Sequence, residues 1–154
     1  MFKEIRRKDR KIEISEAIDI LEICEYGVLS TVNENGYPYG VPLSYVYAND
    51  SIYFHSAVEG HKLENIKDND KVSFCVVGKT DVLSDKFSTK YESVIIFGRA
   101  KEVFEDEKKE ALLELIKKYS VDYMEKGKAY IENASLRTKV IKVSIDHISG
   151  KARR

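Results

Sequence analysis

The span GVLSTVNENGYPYGVPLSYVYANDSIYFHS, residues 27–56, does most to narrow what this chain can fold into. It holds three β-rich runs separated by two turn signals, Asn33-Glu34-Asn35-Gly36 and Ala48-Asn49-Asp50. Connections that short return each strand beside the previous one, so the span reads as an antiparallel meander. Further on, KVSFCVVG and YESVIIFGRAKEVF are strands flanking a polar loop at about Thr80 to Thr89. In TKVIKVSIDHIS, Ile141, Val143 and Ile145 alternate with Lys142, Ser144 and Asp146, which is the period of a half-buried strand. Helical spacing marks four other segments. One is capped by Ser15, carries Ile18, Leu21 and Ile23, and ends at Gly27; a second follows Gly60 through Leu63 and Ile66. The others run from Glu107 to Tyr119 and roughly from Asp122 to Asn133. About six antiparallel strands with inserted helices exclude a Rossmann sheet. They predict a mainly β (α+β) fold, a six-stranded antiparallel barrel with peripheral helices.

Charge narrows the function classes. The 154 residues carry 26 basic and 26 acidic side chains, interspersed rather than blocked, so no broad surface is expected to attract nucleic acid or an anionic membrane. Two cysteines, Cys24 and Cys75, make no disulfide framework, and no N-terminal apolar run reads as a signal or a membrane span; the expected address is the cytoplasm. With no linker or repeat, residues 1–154 are expected to be one domain, loose only at about 1–12 and 150–154. A chain of this size needs a second subunit to enclose a bulky cofactor.

The junction IYFHSAVEGHKLENI, residues 52–66, joins a strand to a helix. It delivers His55 and Ser56, then Gly60, His61 and Lys62, onto a first helical turn, where backbone N–H groups already carry partial positive charge. That arrangement suits an anion. His61 reads equally as an anion contact or an exposed side chain. His55, His61 and Cys75 match no paired-ligand spacing, so no metal site is expected, and the apolar neighbours Phe74 and Val76 give Cys75 no activation as a nucleophile.

The order of these pieces, with YFHSAVEGHK and the closing Ile-Ser-Gly-Lys as the most specific, resembles the FMN-binding split-barrel family related to pyridoxamine 5′-phosphate oxidase. The similarity covers nearly the whole chain and is greatest to the branch of the 5-nitroimidazole-resistance reductases. It implies a split barrel, a homodimer, and FMN bound in two clefts at the subunit interface. Pro42, Leu43 and Ser44 would then lie beside the flavin ring, although Pro42 reads as well as a barrel-corner proline. The resemblance places His55 and Ser56 at the ribityl chain and phosphate, and Gly60, His61 and Lys62 at the phosphate. Glu92 and Ser93 would reach the flavin across the interface. Tyr45 is expected in the core, Gly98 at a bulge or close approach, and Arg99 and Arg137 on the surface. Tyr37, Tyr39, Lys86, Phe87 and Lys151 are candidates to border an open ring face.

The implied activity is that of an NAD(P)H-dependent oxidoreductase reducing a small planar acceptor such as a nitro-aromatic compound. A non-catalytic flavin carrier, or a deazaflavin- or haem-binding relative, is the alternative. The vitamin-forming oxidase reaction is not expected, because the chain has no Trp and ends ISGKARR, where such oxidases carry a Trp and Arg segment.

Overall fold

A computed structural model describes Met1–Arg154. Eight strands form one antiparallel sheet: β1 (Lys11–Ile12), β2 (Tyr26–Val32), β3 (Pro38–Ser44), β4 (Val46–Ala48), β5 (Ser51–Ser56), β6 (Lys71–Leu83), β7 (Ser88–Val103) and β8 (Lys139–Arg153). The hydrogen-bonded order is β3-β2-β6-β7-β8-β5-β4, and β1 pairs with β8. The two edge strands, β3 and β4, are separated in sequence by Tyr45 alone. A sheet whose opposite edges are one residue apart must curl until they meet, which makes the half-barrel.

Tyr45 is the seam and is fully buried. Its hydroxyl donates to the Leu21 carbonyl at 2.6 Å, and its N–H donates to the Tyr119 hydroxyl at 3.0 Å. That hydroxyl in turn has the Tyr45 and Glu25 carbonyls within reach as acceptors. Burial pushes the Tyr45 phenol far above the ordinary range, so it remains a donor.

Four helices are added: α1 (Ile14–Ile23), α2 (His61–Asp68), α3 (Glu105–Tyr119) and α4 (Met124–Ala134). None is long and apolar enough to cross a membrane. Inside the barrel, alternate residues of β2, β5, β6, β7 and β8 meet α1 around Leu29, Phe54, Phe74, Ile96 and Val143. On the outer surface a second cluster forms where α3 and α4 cover Val46, Tyr53, Val103 and Val140. Gly98 sits at a register shift between β7 and β8, and a Cβ there would collide with the Ser144 carbonyl and Val143.

Several boundaries differ from expectation, each for a local reason. The six strands become eight because the second run breaks at the buried Tyr45 and because β1 adds two residues. α1 begins after Glu13 rather than Ser15, since Glu13 and Glu16 complete a reciprocal capping box, and it stops at Cys24 rather than Gly27. The polar stretch at 80–89 is mostly strand: β6 and β7 continue as an exposed two-stranded arm that turns at Ser84–Lys86. Parts of the ends expected to be loose are paired, while residues 1–10 join no strand. Lys11 and Ile12 lie opposite Lys151 and Gly150, and residues 150–153 complete β8.

Candidate functional site

The residues singled out from sequence fall into three groups. The first lies along the edge strand β3. Pro42 and Ser44 face outward and are exposed, whereas Leu43 turns inward against the barrel core, so only its backbone is available to a ligand. As an edge strand, β3 is hydrogen-bonded on one side only, to β2, which is where a proline is tolerated.

The second group is the turn from β5 into α2. Gly60 caps the helix with φ of 149°, a backbone conformation closed to other residues, and it leaves open space around its Cα. The first N–H groups of α2 have no intrahelical acceptor. Lys62 stands half-buried in that first turn. The His61 ring stacks on Tyr39 of β3, with centroids 3.9 Å apart, which ties the start of β3 to the start of α2. Ser56 is buried and donates its hydroxyl to the Ala57 carbonyl at 2.7 Å. Partial removal of His55 from water, followed by the nearby Lys62 charge, holds its imidazole below the usual histidine range, so it is neutral at pH 7.

Ser44 and His55, both solvent-exposed, line the sheet side of a cavity of about 500 Å³ roofed by α3 and α4. The walls are Leu112, Leu115, Ile116 and Ile131 together with Tyr119, Tyr123 and Tyr130, and Lys126 stands among them. Of these tyrosines the sequence reading singled out none as a site residue. They lie on three elements, Tyr119 at the end of α3, Tyr123 in the turn between the helices and Tyr130 on α4, so no single helical period could have grouped them.

The third group does not join the other two within one chain. Ser93 lies on β7 opposite Val77 of β6 and Lys151 of β8, on the sheet's outer surface. Glu92 is committed to Arg154, whose Nε donates to it at 3.1 Å. Arg99 is paired with Asp146 at 3.6 Å, and Arg137 is exposed. Phe87 projects from the tip of the arm, almost wholly exposed. No three His, Cys, Asp or Glu side chains gather as a metal site.

An open-edged half-barrel, with an anion-suited helix start and an outward cavity on either side of one edge strand, defines a split-barrel protein. The match of residues 13–152 to the model for pyridoxamine 5′-phosphate oxidase spans nearly the whole chain, and the chain belongs to that family. No curated protein matches it in sequence. Among solved structures, a candidate 5-nitroimidazole antibiotic resistance protein from Bacteroides thetaiotaomicron is 26% identical; the match covers 92% of this chain and 85% of that one, with a TM-score of 0.79. A conserved hypothetical protein from Mycobacterium tuberculosis is 18% identical over 98% of this chain and 91% of that one, with a TM-score of 0.84. An FAD- and heme-binding protein from Mycobacterium smegmatis is 18% identical over 94% of this chain and 74% of that one, with a TM-score of 0.83.

Proposed function

We propose that the protein is a cytoplasmic flavoprotein, a homodimer that binds FMN and passes electrons from NADH or NADPH to a small planar acceptor such as a nitro-aromatic compound. The observation that carries this reading is the path along β3. The Gly60 turn frees backbone donors beside Lys62 at one end, Pro42 and Ser44 present an open strand edge, and His55 joins the two. Family membership supports a flavin, as does the fold shared with an FAD- and heme-binding protein.

The donor set fits a flavin phosphate. Lys62 and the first N–H groups of α2 would hold the phosphate, with His61 braced on Tyr39 beside them. Ser44 would meet the polar edge of the ring, and the exposed β3 backbone would supply further hydrogen bonds. A bound flavin supplies the redox chemistry; the chain orients it, limits water and presents donors. Ser93 lies on the bare outer surface and would serve the site of the second copy.

Lys62→Ala should weaken FMN by about 1–3 kcal/mol while leaving riboflavin nearly unchanged, because only FMN carries the phosphate. Equal losses for the two ligands in a titration would remove the anchor from this reading. Anaerobic addition of NADPH or NADH should then bleach the visible flavin spectrum. A colour that persists with both donors means a flavin carrier rather than an enzyme.

A further inference from the structure

The cavity under α3 and α4 differs in charge from four other clefts of the molecule. The chain has 26 acidic residues spread along its length, yet none of the twelve residues lining this cavity carries a carboxylate. Four other clefts each have at least one; the one below Gly60, for example, is bordered by Glu59, Glu64 and Glu102. Its one permanent charge is Lys126, whose ammonium stands 5.8 Å from the Tyr123 ring centroid at the mouth. Tyr119 forms a rigid wall, since its hydroxyl is fixed at the seam by the Tyr45 and Glu25 backbone. Tyr123 and Tyr130 are exposed rings without a stacking partner.

From these features we infer that the α3–α4 cavity is the binding site for the acceptor, and that this acceptor is a planar aromatic compound of one or two rings bearing an anionic group. The inference rests on the flavoprotein reading, because it takes the Ser44 and His55 side of the cavity as the boundary between flavin and acceptor. A volume of about 500 Å³ accommodates such a ligand. Flat apolar and aromatic walls favour a flat ring. Lys126 at the mouth, unopposed by any lining carboxylate, selects an anion over a cation. Neutral His55 and the Ser44 hydroxyl offer hydrogen bonds to the sheet-side end of the ligand without adding charge.

The test is equilibrium binding of 4-nitrobenzoate, neutral 4-nitrotoluene and cationic 4-nitrobenzylamine, measured separately on flavin-free and FMN-loaded protein. The expected order is 4-nitrobenzoate tightest and 4-nitrobenzylamine weakest, the same in both forms. Lys126→Gln should weaken 4-nitrobenzoate about tenfold and leave 4-nitrotoluene within about a factor of two. Tyr130→Ala should weaken both by similar factors. Lys126 and Tyr130 are exposed, so neither variant disturbs the core. Three results overturn the assignment: displacement of 4-nitrobenzoate by FMN, which would give the cavity to the flavin; equal affinity for the three probes; or no response to Lys126→Gln. If the protein takes up no FMN, the flavoprotein reading fails on its own, and the flavin-free arm still reports whether the cavity selects an aromatic anion.

Discussion

One half of the sheet's outer surface is covered by the chain's own helices, and the other half is not. Over β4, β5 and the adjoining ends of β7 and β8, α3 and α4 bury Val46, Tyr53, Val103 and Val140. Over β2, β6 and the rest of β7, outward positions in register are also apolar: Val28 faces Cys75, which faces Ile95, with Val77 and Phe97 beside them. These remain open, with Val77 at 53%, Ile95 at 40% and Phe97 at 39% exposure, and only Phe2 crosses the patch to stack on Phe97 and His147. On the bare half these apolar residues are interleaved with Ser30, Ser73 and Ser93, yet only the other half has its cover within the chain. If the protein pairs as proposed, the bare half is where a second copy would pack.

The largest expected effect lies on the covered half. Leu115 is buried between α3 and the sheet, and Leu115→Ala should lower unfolding free energy by about 2–4 kcal/mol in chemical denaturation, whereas Ile95→Ala on the bare half should change the stability of a monomer by less than about 1 kcal/mol. Similar losses at both positions would erase the distinction between the halves. Next in size is Ile95→Asp, which places a charge in the middle of the bare patch and should raise the dimer dissociation constant at least about a hundredfold in sedimentation. Unaltered assembly in that variant would move the interface elsewhere.

A smaller effect sits where the halves join. The Lys118 ammonium lies 3.9 Å from the Tyr45 ring centroid and donates to the Leu21 carbonyl at 3.3 Å. Burial, only partly offset by Cys24, Glu22 and Glu25, lowers its pKa from 10.5 to about 8. Between those values the unfolded chain binds more protons than the folded one, so stability contributed through Lys118 rises with pH, and below about pH 8 it is flat. Thermal unfolding of Lys118→Met should lack this rise across pH 8 to 9.5. A wild-type curve that is flat or falls over that window would contradict the placement of the lysine.

What could be read from sequence follows the strength of local signals. The meander was legible because alternation and turn residues agree in residues 27–56, and the strand-to-helix junction because Gly60 and Lys62 stand out chemically. The break at Tyr45 was not, since no Gly, Pro or Asn marks it; the break is forced by closure of the barrel. The β6–β7 arm was hidden because it buries little on either face, so Thr80, Asp81, Thr89 and Lys90 look like a loop while pairing as a ladder. The cavity was the least legible part. Ser44, His55 and Lys126 come from three distant segments, and only tertiary packing brings them together.

The position of β8 bears on how the protein is made. The last strand of the chain is not at a margin of the sheet: it lies between β7 and β5 and also takes β1. On a ribosome that releases the N-terminus first, the β2–β3 and β4–β5 hairpins can form early, but β5 and β7 must wait with one unpaired backbone edge each until Lys139–Arg153 emerges. Closure of the barrel therefore depends on a strand far downstream of β5 in sequence, a long-range pairing that is slow to form.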